Sequence, residues 1–97
     1  MEKITTIDQI EIAASGVIHV RFVKQILEGR RVLAQEYHRT DILPGMDVND
    51  KMASVNLHLE AMGYAQVRDY AALASHVALA HTEEVVAAFK AAQEKKE

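Results

Sequence analysis

The apolar residues of this chain change their period near Pro44, and that change limits it to a mixed architecture. Residues 4–40 alternate apolar and polar side chains as paired β-strands do. Residues 48–93 are alanine-rich and space their larger apolar groups by three and four, as helices do. At 97 residues the chain supports one modest core, so both halves are expected to share it. The predicted fold is a single α+β domain over residues 1–97: a three-stranded antiparallel β-meander followed by two or three packed helices, with residues 94–97 frayed.

In the first half, Ile10 and Ile12 alternate with Gln9 and Glu11, and Ile18, Val20 and Phe22 alternate with His19 and Arg21. Ala14-Ser15-Gly16 separates the two runs, and glycine enters a left-handed turn position without a Cβ penalty. A short loop there sets Ile12 opposite Ile18 and Ile10 opposite Val20, so that both pairs share one apolar face.

A second turn at Glu28-Gly29 predicts Val20 opposite Tyr37, Arg21 opposite Glu36, Val23 opposite Ala34 and Gln25 opposite Val32, with His19 facing His38. This register offers one opposite-charge pair, but it sets Lys24 against Leu33, a mismatch that a one-residue bulge would relieve. Ile10, Ile12, Ile18, Val20, Phe22 and Tyr37 then make the packed platform. The other face carries Val17, Val23, Leu27, Val32 and Ala34 among His19, Arg21, Gln25 and Glu36. That is more apolar surface than a solvated sheet face needs. Val23, Val32 and Ala34 are therefore candidate interface residues, with Arg21 and Glu36 supplying polar registration.

Pro44-Gly45 suits a type II turn, and Asp47 is placed to cap a helix over residues 48–62. Met52, Val55, Leu59 and Met62 form its buried stripe, and Gly63 closes it. A second helix is predicted over residues 66–80, with Tyr70, Leu73, Val77 and Ala80 on one face. Thr82-Glu83-Glu84 begins a third: a capping hydroxyl precedes two carboxylates at the positive end of the helix dipole. Its apolar line of Val85, Phe89 and Ala92 is expected to dock onto the chain's own sheet.

Charge narrows the function classes. Eleven Lys and Arg against 14 Asp and Glu leave a formal net charge of -3. No concentration of positive charge recommends a nucleic acid or an anionic membrane as partner. The absence of cysteine excludes disulfides, thiolate catalysis and cysteine-ligated metals. Met1-Glu2-Lys3-Ile4 does not read as a signal peptide, and no apolar run reaches the roughly 18 residues of a membrane span. A cytoplasmic location is the expectation.

The five histidines are the only candidates for a soft metal or a general base. His19 and His38, opposed in the predicted register, would need a converging carboxylate to hold a metal or act on a substrate. No His-x-His or His-Glu-x-x-His spacing accompanies them. His58 stands alone, and the spacing of His76 and His81 does not align them on one helical face. Ser15, Ser54 and Ser75 lack a nucleophile-elbow context, and the four glycines form no phosphate-binding loop. No catalytic, cofactor-binding or metal-binding residue is assigned. A noncatalytic protein–protein interaction or structural role leads. A small metal-binding enzyme with a histidine-lined site and a nucleic-acid-binding regulator are the alternatives.

Three stretches carry a further likeness: the hairpins of residues 10–40 ending in His38-Arg39, then Pro44-Gly45-Met46-Asp47, and finally Thr82-Glu83-Glu84-Val85-Val86-Ala87-Ala88-Phe89. Together they resemble a group of small uncharacterised proteins of tailed phages and prophages. In that group the final helix opens with a Trp-Thr-Pro-Glu-like sequence, where this chain has His81-Thr82-Glu83. Its middle segment, about 51–80, is also longer. The resemblance implies an accessory or virion-associated protein, incorporated into a phage particle or acting with other phage-related proteins. It assigns no catalytic residue. The apolar groups on both sheet faces and the exposed outer strands separately favour a homo-oligomer.

Overall fold

In the computed structural model, which describes residues 2–94, the chain runs β1 (Glu2–Ile12), β2 (Ile18–Glu28), β3 (Arg31–Ile42), α1 (Val48–Ala61), α2 (Ala71–Ala80) and α3 (Glu83–Glu94). The strands make one antiparallel sheet in the order β1-β2-β3. The predicted meander followed by three helices is therefore the architecture. Of the stretch expected to fray, Glu94 still belongs to α3 and residues 95–97 lie outside the described part.

The first hairpin has the predicted register, with Ile12 opposite Ile18 and Ile10 opposite Val20. Gly16, at φ 93°, turns the chain while its N–H donates to the Ala13 carbonyl at 2.9 Å. The register then slips between Ile7 and Gln9, leaving Asp8 as an extra residue. That bulge lets Ile7 and Ile10, three positions apart, both face the core, as Phe22 and Val20 opposite them do.

The second hairpin departs from expectation. Its loop is Gly29-Arg30, one residue further along than predicted, and Leu33 is bulged between the Ile26–Ala34 and Leu27–Val32 pairs. Together these move the register by three. Val20 meets Thr40, Arg21 meets Arg39, Val23 meets Tyr37, Gln25 meets Gln35, and Lys24 meets Glu36. The physical gain is twofold. Lys24 exchanges Leu33 for a carboxylate, and Ile42 comes opposite Ile18, where both are fully buried.

All the deep packing lies on one face of the sheet. Ile18, Val20, Phe22 and Ile42 meet Met52, Val55 and Leu59 of α1 and Leu73 and Val77 of α2. Asp47 caps α1 by accepting from the N–H groups of Asn49 (2.8 Å) and Asp50 (3.1 Å). At its other end Gly63 takes φ 83°. The Tyr64 N–H then reaches back to the Leu59 carbonyl at 2.9 Å and the Gly63 N–H to Glu60 at 3.0 Å, a Schellman closure. Met62, expected in the buried stripe, is the C-cap residue of this closure and is exposed.

The predicted helix over 66–80 begins only at Ala71. Asn56 holds the preceding segment extended: its amide donates to the Val67 carbonyl at 3.2 Å and its oxygen accepts the Val67 N–H at 2.7 Å. Val67 then bridges Thr5 in parallel at the outer edge of β1. A side chain has outcompeted helix propensity there.

Helix α3 starts as predicted, with the Val85 N–H donating to the Thr82 hydroxyl at 3.2 Å. It does not cover the sheet. Val85 packs on Gly16 and Val86 approaches Gly45, so the helix rests on turns at one end. Among the described residues α3 buries none of its side chains completely.

Candidate interaction surface

Helices on one side leave the other side of the sheet open, and its side chains follow from the strand registers. Reading across from β1 to β3, one row is Thr6, Val23 and Tyr37, the next Ile4, Gln25 and Gln35, and the last Glu2, Leu27 and Val32. Tyr37 and Val32 are each 48% exposed. The tip of the β2–β3 hairpin also reaches past the helices, since every residue from Glu28 to Ala34 is exposed.

Polar groups stiffen this face. Arg21 donates from Nε to Asp8 Oδ2 at 2.6 Å and lies 4.8 Å from the Tyr37 ring centre, which offsets its like-charged neighbour Arg39. Gln25 donates to Gln35 at 2.8 Å, and Gln35 donates to the Tyr37 hydroxyl at 3.1 Å. His19 Nδ1 and Asp41 Oδ1 are 2.6 Å apart at one end. Apolar groups fixed in a hydrogen-bonded frame form a surface that needs little ordering on contact.

The expected interface set divides between the two faces. Arg21, Val23 and Val32 stand on the open side. Ala34 and Glu36 stand on the side that carries the helices, because the true register pairs them with Ile26 and Lys24. Tyr37, placed by expectation in the packed platform, belongs to the open face, and Ile12 is 49% exposed beyond the core. Glu36 does not register Arg21. Its Oε2 accepts from the Tyr64 hydroxyl at 2.5 Å and lies 3.6 Å from Lys24 Nζ.

The histidine pair does not exist. His19 faces Asp41 on the open side, whereas His38 faces Phe22 on the helix side. There its ring lies 5.5 Å from that of His58. Burial first, then the charges of Lys24 and His58, holds His38 below the ordinary histidine range. His81 donates from Nε2 to the Gly16 carbonyl at 2.7 Å, tying the start of α3 to the first turn. Among the described residues no three of His, Asp and Glu gather closely enough to hold a metal ion. No described helix is long and apolar enough to cross a membrane.

Sequence reasoning missed the Lys24–Glu36–Tyr64 group. The Tyr64 hydrogen bond, with the Lys24 charge second, holds the Glu36 carboxyl below its ordinary range, and the same bond pushes the Tyr64 phenol up. Its signal was a lysine continuing the apolar row Ile18, Val20, Phe22. A buried cation in such a row requires an anion or a ring beside it.

Neither a scan of protein-family models nor searches of curated proteins and of solved structures finds a match to this chain.

Proposed function

We propose that the chain is a noncatalytic protein–protein interaction module, a structural or accessory part of a larger assembly. Its contact surface is the open sheet face around Val23, Leu27, Val32 and Tyr37. One observation carries the reading: these side chains lie on the face opposite the helices, where Val32 and Tyr37 are each 48% exposed. A solvated face gains nothing from such groups, whereas an interface core does. The likeness of the hairpins, the Pro44-Gly45 turn and the final helix to small phage and prophage proteins supports placing that assembly in a phage-derived particle.

The test is a paired substitution. Val23→Asp with Val32→Asp charges the open face, and Leu57→Asp charges the exposed outer side of α1. Complexes recovered with the full chain from its native cells are weighed by native mass spectrometry. A stoichiometric complex lost with the first variant and kept with the second supports the reading. No complex with another protein, or one insensitive to the open-face charges, overturns it.

A further inference from the structure

The two edges of the sheet are treated differently by the rest of the chain. The β1 edge is partly covered, because Val67 bridges Thr5 and Lys3 Nζ donates to the Gly63 carbonyl at 2.9 Å. Among the described residues no strand pairs with the outer edge of β3. That edge is long, and Ala34, Gln35, Glu36, Tyr37 and Arg39 along it are exposed. A row of unpaired backbone donors and acceptors is a template for another strand.

We infer that the open edge of β3 pairs antiparallel with β3 of a second copy of this chain, with Tyr37 on the two-fold axis. This goes beyond the reading of the chain as an interaction module through its open face: it adds a contact along the sheet edge, with the chain itself as partner. Pairing a strand with its own copy requires a dyad normal to the sheet, so helix-side residues meet helix-side residues. The bulge at Leu33 ends the ladder at Ala34.

Those constraints leave few registers, separated by side-chain chemistry and by how far the strand continues. A dyad at Thr40 sets Arg39 opposite Asp41 of the partner subunit, but its ladder is confined to residues 38–42 at the end of β3. A dyad at Glu36 sets two carboxylates face to face, and one at Arg39 sets two guanidiniums face to face. A dyad at Gln35 stops almost at once against the bulge. A dyad at His38 stacks two imidazoles that already adjoin His58 and leaves Glu36 opposite Thr40 of the partner subunit. With Tyr37 at the centre the ladder runs from Ala34 to Thr40. Glu36 then meets His38 of the partner subunit on the helix side, and Gln35 meets Arg39 of the partner subunit on the open side. Each contact occurs twice by symmetry, and each charged side chain then faces a neutral hydrogen-bonding group in place of its own like charge. The open faces of both copies become one continuous surface.

The absence of native cysteine makes the register directly readable. The full chain is studied by light scattering, and Tyr37→Cys, Gln35→Cys and His38→Cys are oxidised separately. Only residue 37 stands opposite itself, whereas residue 35 is offset from its own copy by about 13 Å along the strand, beyond disulfide reach. The expected result is a wild-type dimer, with linked dimer from Tyr37→Cys at least about tenfold above the other two. The Gln35→Cys, Arg39→Cys double variant should also link, which keeps the test valid if Tyr37→Cys folds poorly. Dominant linking through residue 38 or 35, or a monomer at every concentration, overturns the inference. A monomer that still forms the Val23- and Val32-dependent complex with another protein overturns the second-copy partner alone. A monomer with no such complex overturns both readings.

Discussion

The Lys24 ammonium lies 4.1 Å from the centre of the Tyr64 ring. A side chain from the middle strand is thus capped by the residue that closes the Schellman turn after α1. Lys24 is only 7% exposed, and its charge is answered by that ring and by Glu36 at 3.6 Å. The arrangement joins the sheet to the end of the first helix through a buried charge.

Lys24→Met keeps the apolar stem and removes the charge, so chemical unfolding should show a change within about 1 kcal/mol. Lys24→Glu places a second anion beside Glu36 in a buried site and should cost about 3 kcal/mol or more. Equal effects of the two substitutions in urea melts would show that the ammonium has no electrostatic role.

The same neighbourhood sets the acid sensitivity. His38 is held below the ordinary histidine value of about 6.5, so the unfolded chain takes up its proton first. Its contribution is present above that value and is lost as pH falls from there toward the folded pKa. Glu36 is also held low, so its contribution is present above the ordinary carboxylate range and is lost as pH falls through the folded pKa. Melting temperature should therefore fall in two stages. His38→Gln should flatten the upper stage and Tyr64→Phe the lower one. Unchanged profiles in both variants would contradict the assignment.

Asn56→Ala removes both hydrogen bonds to Val67 and leaves a part-buried N–H and C=O without their partners. The expected loss is about 2 kcal/mol. Hydrogen exchange should report faster exchange at Val67 and Thr5, which the bridge connects, with little change in β3. A uniform increase across the chain would mean that Asn56 acts on global stability only.

Gly16→Ala meets two obstacles. The residue sits at φ 93°, and a Cβ there would lie 2.4 Å from Val85 Cγ1. Destabilisation of about 1–3 kcal/mol is expected from backbone strain and overpacking together. Val85→Ala should recover the packing part and leave the strain, which a double-mutant cycle in thermal melts resolves. Strict additivity would deny the contact between the first turn and α3.

Local chemistry and periodicity were enough for much of the fold. The Gly16 turn and the Ile10, Ile12, Ile18 and Val20 pairs agree with one another, so a single register satisfies both. Asp47, Gly63 and Thr82 mark helix ends because capping depends on neighbours within a few residues. The second hairpin had no such agreement. Val32, Leu33 and Ala34 are all apolar, so sliding the loop by one residue or inserting a bulge leaves no mark in the pattern. Helix propensity in residues 66–70 likewise gave no sign that Asn56 would hold them extended.

From composition and pattern alone came the class of fold, the three strands, the caps and the surplus of apolar side chains on the sheet. Which of those side chains share a face was settled elsewhere, by contacts distant in sequence. Lys24 against Glu36 and Tyr64, and Ile42 against Ile18, select one register among near neighbours. That choice sends Val23, Val32 and Tyr37 to the open side, while Ala34, Glu36 and His38 go to the helix side. Strand periodicity assigns faces only once the register is known, and the energy that distinguishes registers resides in long-range packing.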